Sequence, residues 1–335
     1  MSEKLTILIA AGASGAVVAL AEPATIRLLR RVSAMDTPNS RSSHTVPTPR
    51  GGGAPIAAGL VIAALLIRGP AAIAFAIAVA AFSVIGFADD LSGLSVRRRL
   101  ALQCATSLAV GAALVSHLSL PLADRAAAAV VIALWVAAFV NVFNFMDGVN
   151  GISAAHAVIG GAVFGCLGVW RRDVFLAAGG AAVAAGALAF LPWNAIRARV
   201  FLGDAGSYGL GAALAVLAAW AVIRGIPVEA ALGPVALYLA DTGWTLQRRI
   251  RSGERWLEAH RTHVYQQWCK AGRSHLRVAG ATSAGTLLLC LLGAASLTGQ
   301  TAIRVAADVV AAGVLVTYLR SPALLRRATA ALERA

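Results

Sequence analysis

Carboxylate and carboxamide side chains recur every third residue in the segment Asn141 to Gly151, which follows a long apolar run. The segment reads Asn-Val-Phe-Asn-Phe-Met-Asp-Gly-Val-Asn-Gly. Steps of three residues keep neighbours on one side of a helix, so Asn141, Asn144 and Asp147 are expected to line one polar strip. At the end of an apolar helix such groups serve either interhelical hydrogen bonding or a metal and phosphate site. The pattern alone leaves both interpretations open.

Two further acidic motifs follow the same logic. Asp89 and Asp90 close an apolar run shortly before Arg97–Arg99. Adjacent helical residues point about 100° apart, so the two carboxylates can share a site only if the helix ends there or their roles differ. Neutralisation by the arginines is the alternative. Asp204, in Gly203–Ser207, opens an apolar helix, where it either caps the helix or meets a cation and phosphate oxygens.

Two basic loops accompany these acids. The loop from Asp36 to Gly53 carries Arg41, His44 and Arg50, and three glycines follow the last arginine. The glycines are expected to let backbone amides approach an anion, while the prolines hold the loop extended. A simple proline and glycine turn is the alternative.

The second basic loop, residues 246–277, is expected to contain an interfacial amphipathic helix followed by His260-Arg261-Thr262-His263. Two histidines beside an arginine suit a diphosphate clamp, a metal site or a solvated basic face. Asp241 precedes this loop inside an apolar segment and should face the protein interior, either paired with Arg248 or Arg249 or in a functional role.

Taken together, Asp89, Asp90, Asp147, Asn150 and Asp204 supply oxygen ligands without thiolates, which favours Mg²⁺, with Mn²⁺ as an alternative, over zinc. Such an ion suits phosphoryl transfer. The four cysteines show no paired spacing. No P-loop, Gly-x-Ser-x-Gly elbow or zinc-protease helix occurs in the sequence.

The elements that must position these residues are membrane helices. Of 335 residues, 59% are hydrophobic and 13% charged, which predicts a single all-α polytopic membrane domain over residues 1–335. About eleven spans are expected. They are Leu5–Leu29, Gly53–Ile67, Pro70–Phe87, Leu100–Ser116, Ala126–Phe145, Ile152–Trp170, Val174–Leu191, Gly206–Ile223, Pro227–Thr245, Val278–Leu297 and Ala302–Leu319.

The charge distribution predicts the orientation. Placing the amino terminus outside puts most of the 29 Lys and Arg residues, and the acidic motifs, on the cytoplasmic side. The carboxy terminus and the active site are then cytoplasmic. The net charge of +14 is explained by this topology, so nucleic-acid binding is not needed to account for it.

Four motifs in this order identify a family resemblance. They are Asp89-Asp90-x-x-Gly, Asn141-x-x-Asn-x-x-Asp-Gly-x-Asn-Gly, Gly203-Asp-x-Gly-Ser and His260-x-x-His. The chain resembles the polyprenyl-phosphate N-acetylhexosamine-1-phosphate transferases, glycosyltransferase family 4, over roughly residues 36–265. The resemblance implies transfer of a sugar-1-phosphate from a UDP-sugar to undecaprenyl phosphate, with release of UMP. It places the protein in the bacterial inner membrane.

The resemblance also implies roles for individual residues. Asp204 is expected to bind Mg²⁺, with Asn150 next, and Asp89 or Asp90 to act as base or to orient the lipid phosphate. Asn144 and Asp147 would shape the nucleotide and metal pocket. The remaining expected contacts to the donor or to phosphates come from His260, Arg261, His263, Arg41, His44 and Arg50. Expected partners are undecaprenyl phosphate, a UDP-N-acetylhexosamine, the lipid bilayer and a second copy in a homodimer, and not nucleic acid.

Two departures refine the expectation. Asn150 stands where many members have aspartate, and weaker metal binding would follow. The His260-Arg-Thr-His263 motif resembles the branch that initiates O-antigen or capsule synthesis, with donors such as UDP-GlcNAc or its deoxy relatives QuiNAc and FucNAc. A muramoyl-pentapeptide donor of peptidoglycan synthesis is the alternative within the family. A transporter or lipid flippase is the alternative of another class, but it should place its polar site near the membrane midplane.

Overall fold

The computed structural model describes residues 2–38, 46–254 and 260–332, with side chains described as far as residue 325. This part of the chain forms twelve α-helices and one short β pair. The helices are α1 (Glu3–Arg31), α2 (Ala54–Ile67), α3 (Pro70–Ser92), α4 (Val96–Val115), α5 (Leu122–Phe145), α6 (Ile152–Arg171), α7 (Val174–Asn194), α8 (Gly203–Ile223), α9 (Val228–Arg251), α10 (Val264–Lys270), α11 (His275–Ala294) and α12 (Thr301–Leu332).

The expected fold class is confirmed, because the chain is an all-α membrane protein in which each expected span coincides with a helix. Eight of the helices are long and apolar enough to cross a membrane, fewer than the eleven spans expected. The other three have recognisable differences. Helix α2 has 14 residues, α4 begins with three consecutive arginines, and α9 contains Asp241 and ends in an arginine-rich turn.

Helix α8 forms the centre of the bundle. About 83% of the membrane-spanning part of α8 is buried within the protein. The corresponding share for α12 is 11%, so most of the surface of α12 is left for lipid. Helix α8 packs against α3, α5 and α6, among others. Glycine and alanine dominate its sequence, and such small residues let the neighbouring backbones approach closely where lipid supplies no hydrophobic drive.

The loop after α1 is tied to the start of α8. Its two short strands, β1 (Met35–Asp36) and β2 (Thr48–Pro49), pair antiparallel, and Arg50 then forms a parallel bridge with Phe201. The expectation that the glycine amides face an anion is wrong. The amides of Gly51 and Gly52 donate to the Phe201 carbonyl at 3.2 and 2.9 Å, and the next amide donates to the Leu202 carbonyl. These bonds hold Arg50 beside α8.

Close backbone contacts fix the position of the first turn of α8 against α3 and the loop before α2. A Cβ built on Gly86 of α3 would lie 2.1 Å from the Asp204 carbonyl oxygen, and one built on Gly53 would lie 2.0 Å from the Gly206 Cα. Gly203 has a φ of +74°, which a glycine adopts without a Cβ penalty. Glycine is therefore required where α3 and the arginine loop meet α8.

The described parts of the long loop, residues 246–254 and 260–277, are mostly helical. Helix α9 continues to Arg251 without a break, so Trp244 and Ile250 of the expected interfacial helix belong to this helix. Residues 255–259, which complete that stretch, lie outside the described part of the chain. Helix α10 follows the histidine motif, and α11 starts at His275.

Candidate active site

The centre of the candidate site is an ion-pair cluster that joins three segments distant in sequence. The Arg50 guanidinium lies 2.7 Å from both Asp90 Oδ1 and Asp204 Oδ1. Burial would lower the pKa of Arg50, but the Asp204 and Asp90 carboxylates outweigh it and hold this pKa above its usual range. Two carboxylates thus share one guanidinium, which leaves the cluster with an excess negative charge that attracts a cation.

Asp90 also organises the first turn of α8. Its Oδ1 accepts the backbone amide of Asp204 and its Oδ2 that of Ala205, both at 3.0 Å. The residue before the helix, Leu202, provides no side-chain cap. Asp90 therefore satisfies two amide donors that the helix start would otherwise leave unpaired.

Asp89 occupies a separate environment on the same helix. It pairs with Arg99 at 3.0 Å, accepts the Leu94 amide at 2.7 Å and accepts the Tyr208 hydroxyl at 3.3 Å. The sequence left open whether the two acids serve one site or are neutralised by the nearby arginines, and the structure gives them different partners. Arg99 neutralises Asp89, as the second interpretation expects.

The expected polar strip of α5 is divided between two sets of partners, and each of the two interpretations left open by the sequence applies to one part of it. Asn144 donates to Asp204 Oδ1 at 3.0 Å and contacts Ser207 Oγ at 2.9 Å. Asn141 instead donates to Gln103 of α4 at 2.8 Å, which is an interhelical hydrogen bond. Because α5 ends at Phe145, Asp147, the third residue of the expected strip, lies beyond the helix.

Asp147 lies in the loop between α5 and α6. Burial raises the pKa of its carboxyl to about 7, and the negative charge of Asp204 acts in the same direction. The loop is braced by Tyr265, whose hydroxyl donates to the Phe145 carbonyl at 2.9 Å. The Tyr265 ring packs so closely on Gly148 that a Cβ there would lie 2.2 Å from the hydroxyl.

The histidine motif is adjacent to this loop. The His263 ring lies 5.0 Å from the His260 ring and 6.3 Å from the Phe145 ring, measured between centroids. Nδ1 of His260 lies 3.0 Å from Thr262 Oγ1, while Nδ1 of His263 lies 3.0 Å from Asp241 Oδ1. His263 is buried, whereas His260 and its neighbour Arg261 keep some exposed surface.

The pairing of Asp241 with Arg248 or Arg249, one of the two interpretations of this residue, is not formed. The Arg248 guanidinium donates to the Thr262 carbonyl at 2.9 Å, and that of Arg249 pairs with Glu254 at 2.9 Å. The buried carboxylate of Asp241 is thereby available to the histidine motif.

The structure leaves three other expected site residues as predictions. The backbone amide of Asn150 donates to His275 Nδ1 at 3.4 Å. Within the described part of the chain, the Asn150 side chain makes no hydrogen bond to Asp204. Arg41 and His44 lie outside the described residues. Their assignment to phosphate contacts stays a prediction.

The donor set fits a magnesium ion held largely by substrate. Within the described ranges, no three His, Cys, Asp or Glu side chains converge on one point. Asp204 Oδ1 accepts from Arg50 and Asn144, while its Oδ2 has no hydrogen-bond partner in the described part of the chain. Mg²⁺ commonly takes one or two carboxylates together with substrate phosphates and water, and the Asp204 carboxylate could supply that ligand.

Several residues of the site were not among those expected from the sequence. Tyr208 and Ser207 lie within the first turns of α8 and contact Asp89 and Asn144, and Tyr265 braces the Asp147 loop. Ser207 stands in the quoted Gly-Asp-x-Gly-Ser motif, and Tyr265 follows the histidine motif by two residues. Their proximity to those motifs was the available signal.

These features define a polytopic helical membrane protein with an acidic cluster built from the ends of several helices. A family model described as Glycosyl transferase family 4 matches residues 72–222. The chain is 26% identical to a probable undecaprenyl-phosphate N-acetylglucosaminyl 1-phosphate transferase of Bacillus subtilis (strain 168), covering 77% of this chain and 76% of the relative.

Other relatives agree in class. A decaprenyl-phosphate N-acetylglucosaminephosphotransferase of Mycobacterium tuberculosis (strain ATCC 25618 / H37Rv) is 28% identical over 80% of this chain and 77% of its own length. A phospho-N-acetylmuramoyl-pentapeptide-transferase of a Synechococcus species is 35% identical, but over 46% of this chain and 45% of its own. The chain is thus similar to glycosyltransferase family 4 and to polyprenyl-phosphate sugar-1-phosphate transferases, and these matches confirm the resemblance drawn from the four motifs.

Proposed function

We propose that this protein transfers an N-acetylhexosamine-1-phosphate from a UDP-sugar to undecaprenyl phosphate and releases UMP. The observation that carries the proposal is the cluster of Arg50, Asp90, Asn144 and Asp204, which gathers the ends of separate membrane helices around one carboxylate. A site at helix ends suits a reaction between a soluble nucleotide and a phosphate at the membrane surface. A carrier would need its polar site near the midplane.

The reaction forms one bond and breaks one. A phosphate oxygen of the lipid attacks the β-phosphorus of the donor, the bond from that phosphorus to the bridging oxygen breaks, and UMP leaves. A phosphate monoester has a second pKa of about 6, so the lipid phosphate is already largely ionised at pH 7. The nucleophile therefore needs no strong base. Asp89 and Asp90, both committed to fixed partners, are better suited to orienting the site than to removing a proton.

Charge neutralisation is the main task of such a site. Asp204 would hold Mg²⁺, with Asp147 and Asn150 as further candidates, and the ion would neutralise phosphate charge when bound. Arg50 lies at the same carboxylate and can turn part of its guanidinium toward a phosphate. Asn144 holds Asp204 by its Oδ1 oxygen and so leaves Oδ2 for the cation.

The donor would be held at the histidine side of the site. Arg261 and His260 are partly exposed beside the Asp147 loop, so we assign them to the diphosphate or the sugar. His263 is buried against His260 and would support these two residues. Arg41 and His44 would complete the phosphate contacts from the loop before β2.

The donor we favour is UDP-N-acetylglucosamine or a deoxy relative such as QuiNAc or FucNAc, and the product would initiate a surface polysaccharide such as O-antigen or capsule. Relatives named for N-acetylglucosamine cover about three quarters of the chain, whereas the muramoyl-pentapeptide relative covers less than half. We place the protein in the bacterial inner membrane with its site and carboxy terminus in the cytoplasm, where UDP-sugars occur. This orientation would put most basic residues on the cytoplasmic side, in agreement with the charge rule for membrane proteins.

The test is UMP release by purified protein in detergent, given undecaprenyl phosphate, Mg²⁺ and a panel of UDP-sugars that includes UDP-muramoyl-pentapeptide. The product lipid is extracted and its sugar identified. Asp204→Asn serves as the matched inactive control, because it keeps the side-chain shape and removes the charge. UMP formed only with both substrates and the metal supports the proposal, and the donor used names the sugar.

Two results would contradict the proposal. Turnover only with the muramoyl-pentapeptide donor, blocked by nucleoside antibiotics selective for that enzyme, would move the protein to peptidoglycan synthesis. No UMP with any donor, using lipid on which a control transferase is active, would remove the transferase assignment.

A further inference from the structure

Asp241 is a buried carboxylate in the interior of α9 on which four donors converge. Its Oδ1 accepts the Val264 amide at 3.1 Å and the Thr245 hydroxyl at 3.2 Å, and its Oδ2 accepts the Tyr318 hydroxyl at 2.7 Å. His263 Nδ1 approaches the same Oδ1 at 3.0 Å. Asp241 Oδ1 thus already accepts hydrogen bonds from an amide and a hydroxyl group. A carboxylate oxygen has no hydrogen to donate, so the imidazole nitrogen is the donor in this contact and Nδ1 carries the hydrogen.

This bond leaves Nε2 as the nitrogen through which His263 can meet another group. In the neutral ring Nε2 is an acceptor, and the tautomer is fixed by whatever Nδ1–H contacts. The ring is also fixed in position. His260 lies against it at 5.0 Å with an angle of 26° between the planes, and Phe145, the last residue of α5, lies near it at 6.3 Å.

The same carboxylate links the site to the lipid-exposed helix α12. Tyr318 belongs to α12, and one turn of chain away Ser321 accepts the indole N–H of Trp268 from α10 at 2.7 Å. The histidine motif is thus held between α9, which provides Asp241, and α12.

We propose that Asp241 is a positioning residue of the transferase site, which holds His263 as the Nδ1–H tautomer so that Nε2 supports the donor side of the site, and that Tyr318 aligns this carboxylate. Asp241 acts through His263 and does not touch substrate. The inference rests on the proposed function for its kinetic consequence, but the hydrogen-bonding claim stands without it. Residues that orient a metal-bound histidine typically change activity by ~10–100-fold when they are removed, and we expect an effect of the same order for Asp241.

The first test is spectroscopic and needs no substrate. Protein labelled with ¹⁵N-histidine in detergent is compared with Asp241→Asn, with His263→Gln used to assign the signals of this ring among the six histidines. We expect the Nδ1–H tautomer for His263 in the wild type and its loss or redistribution in Asp241→Asn. An unchanged His263 spectrum in Asp241→Asn would overturn the inference.

The second test separates positioning from general stability. In Asp241→Asn, kcat/KM for the UDP-sugar should fall ~10–100-fold, while KM for the lipid phosphate stays within about twofold. Tyr318→Phe should change the same parameter in the same direction by less, and it keeps the proposal testable if the asparagine variant does not fold. Thr282→Ala is the control, because it removes a buried hydroxyl whose hydrogen bond, within the described part of the chain, is to a carbonyl of its own helix. It should leave the His263 signals and both KM values unchanged.

The outcomes distinguish the inference from the proposed function. Equal losses for both substrates in Asp241→Asn, or the same pattern in Thr282→Ala, would show a merely structural role. A wild type that releases no UMP would contradict the proposed function, while the histidine spectra would still decide whether Asp241 fixes the tautomer.

Discussion

Substituting Gly86 by alanine should separate the fold of the bundle from the geometry of its site. Gly86 lies on α3 one turn before Asp90, and a Cβ there would meet the Asp204 carbonyl oxygen at 2.1 Å and the Ala205 nitrogen at 2.7 Å. These atoms belong to the backbone of α8, so no flexible side chain can move aside. Non-bonded contacts of a carbon atom are optimal near 3.5–4.0 Å, and the first turn of α8 must therefore retreat by more than about 1 Å to restore such a contact.

The expected loss follows from that displacement. A misplacement of about 1 Å in a reacting constellation can reduce turnover ~100-fold, whereas overpacking costs about 1–3 kcal/mol of stability. We therefore expect Gly86→Ala to remain folded and to lose roughly two orders of magnitude in the rate of UMP release. Gly280→Ala on α11 is the matched control, because its Cβ would have no neighbour within 4 Å.

The assay is UMP release at saturating donor and lipid, with thermal unfolding in the same detergent. The reasoning is refuted if Gly86→Ala retains more than half of the wild-type turnover. Gly53→Ala, whose Cβ would lie 2.0 Å from the Gly206 Cα, applies the same displacement from the arginine loop. It provides an independent measurement should the first variant fail to fold.

Three other predictions use single residues of the site. Asp204→Ala should abolish turnover at every Mg²⁺ concentration, and activity restored by excess metal would contradict its assignment as ligand. Because burial raises the folded pKa of Asp147 from 3.8 to about 7, the folded state keeps a proton that the unfolded state loses, and stability should fall as pH rises through that interval. Unfolding midpoints measured across that pH range should show this decrease in the wild type and not in Asp147→Asn. If catalysis depends on the ionised Asp147 carboxylate, the wild-type kcat/KM should rise through about pH 7. Tyr265→Phe leaves the Phe145 carbonyl without its partner, so unfolding should be easier by about 1–3 kcal/mol, and an unchanged melting temperature would contradict the bracing role.

The helices and the motifs could be predicted from sequence because both depend on local pattern. Apolar length and the positions of proline and arginine located the eleven long helices but not the short helix α10, and Asp204 was correctly placed at the start of a helix. The segment Asn141 to Gly151 was also correctly placed at the end of an apolar helix. Its internal division was not, since whether Asn141 contacts Gln103 or the acidic cluster depends on how α4 and α5 pack.

Partner choice could not be predicted, because it depends on contacts between segments distant in sequence. Nothing local distinguishes Asp89 from Asp90, yet one pairs with Arg99 of the next helix and the other with Arg50 from the preceding loop. Asp241 shows the same limit. Arginines close by in sequence were plausible partners, but the fold brings His263 to it across 22 residues.

Asp90 connects the stability of the fold with the geometry of the site. Helix α8 begins without a capping side chain of its own, so α3 supplies the cap through Asp90, and the capped residue is Asp204. A cap of this kind is worth about 1 kcal/mol, and its removal would move the carboxylate that the reaction needs. Loss of activity on replacing Asp90 would therefore not identify it as a catalytic base. The acid holds the start of α8, Arg50 balances its charge, and the position of Asp204 follows from both contacts.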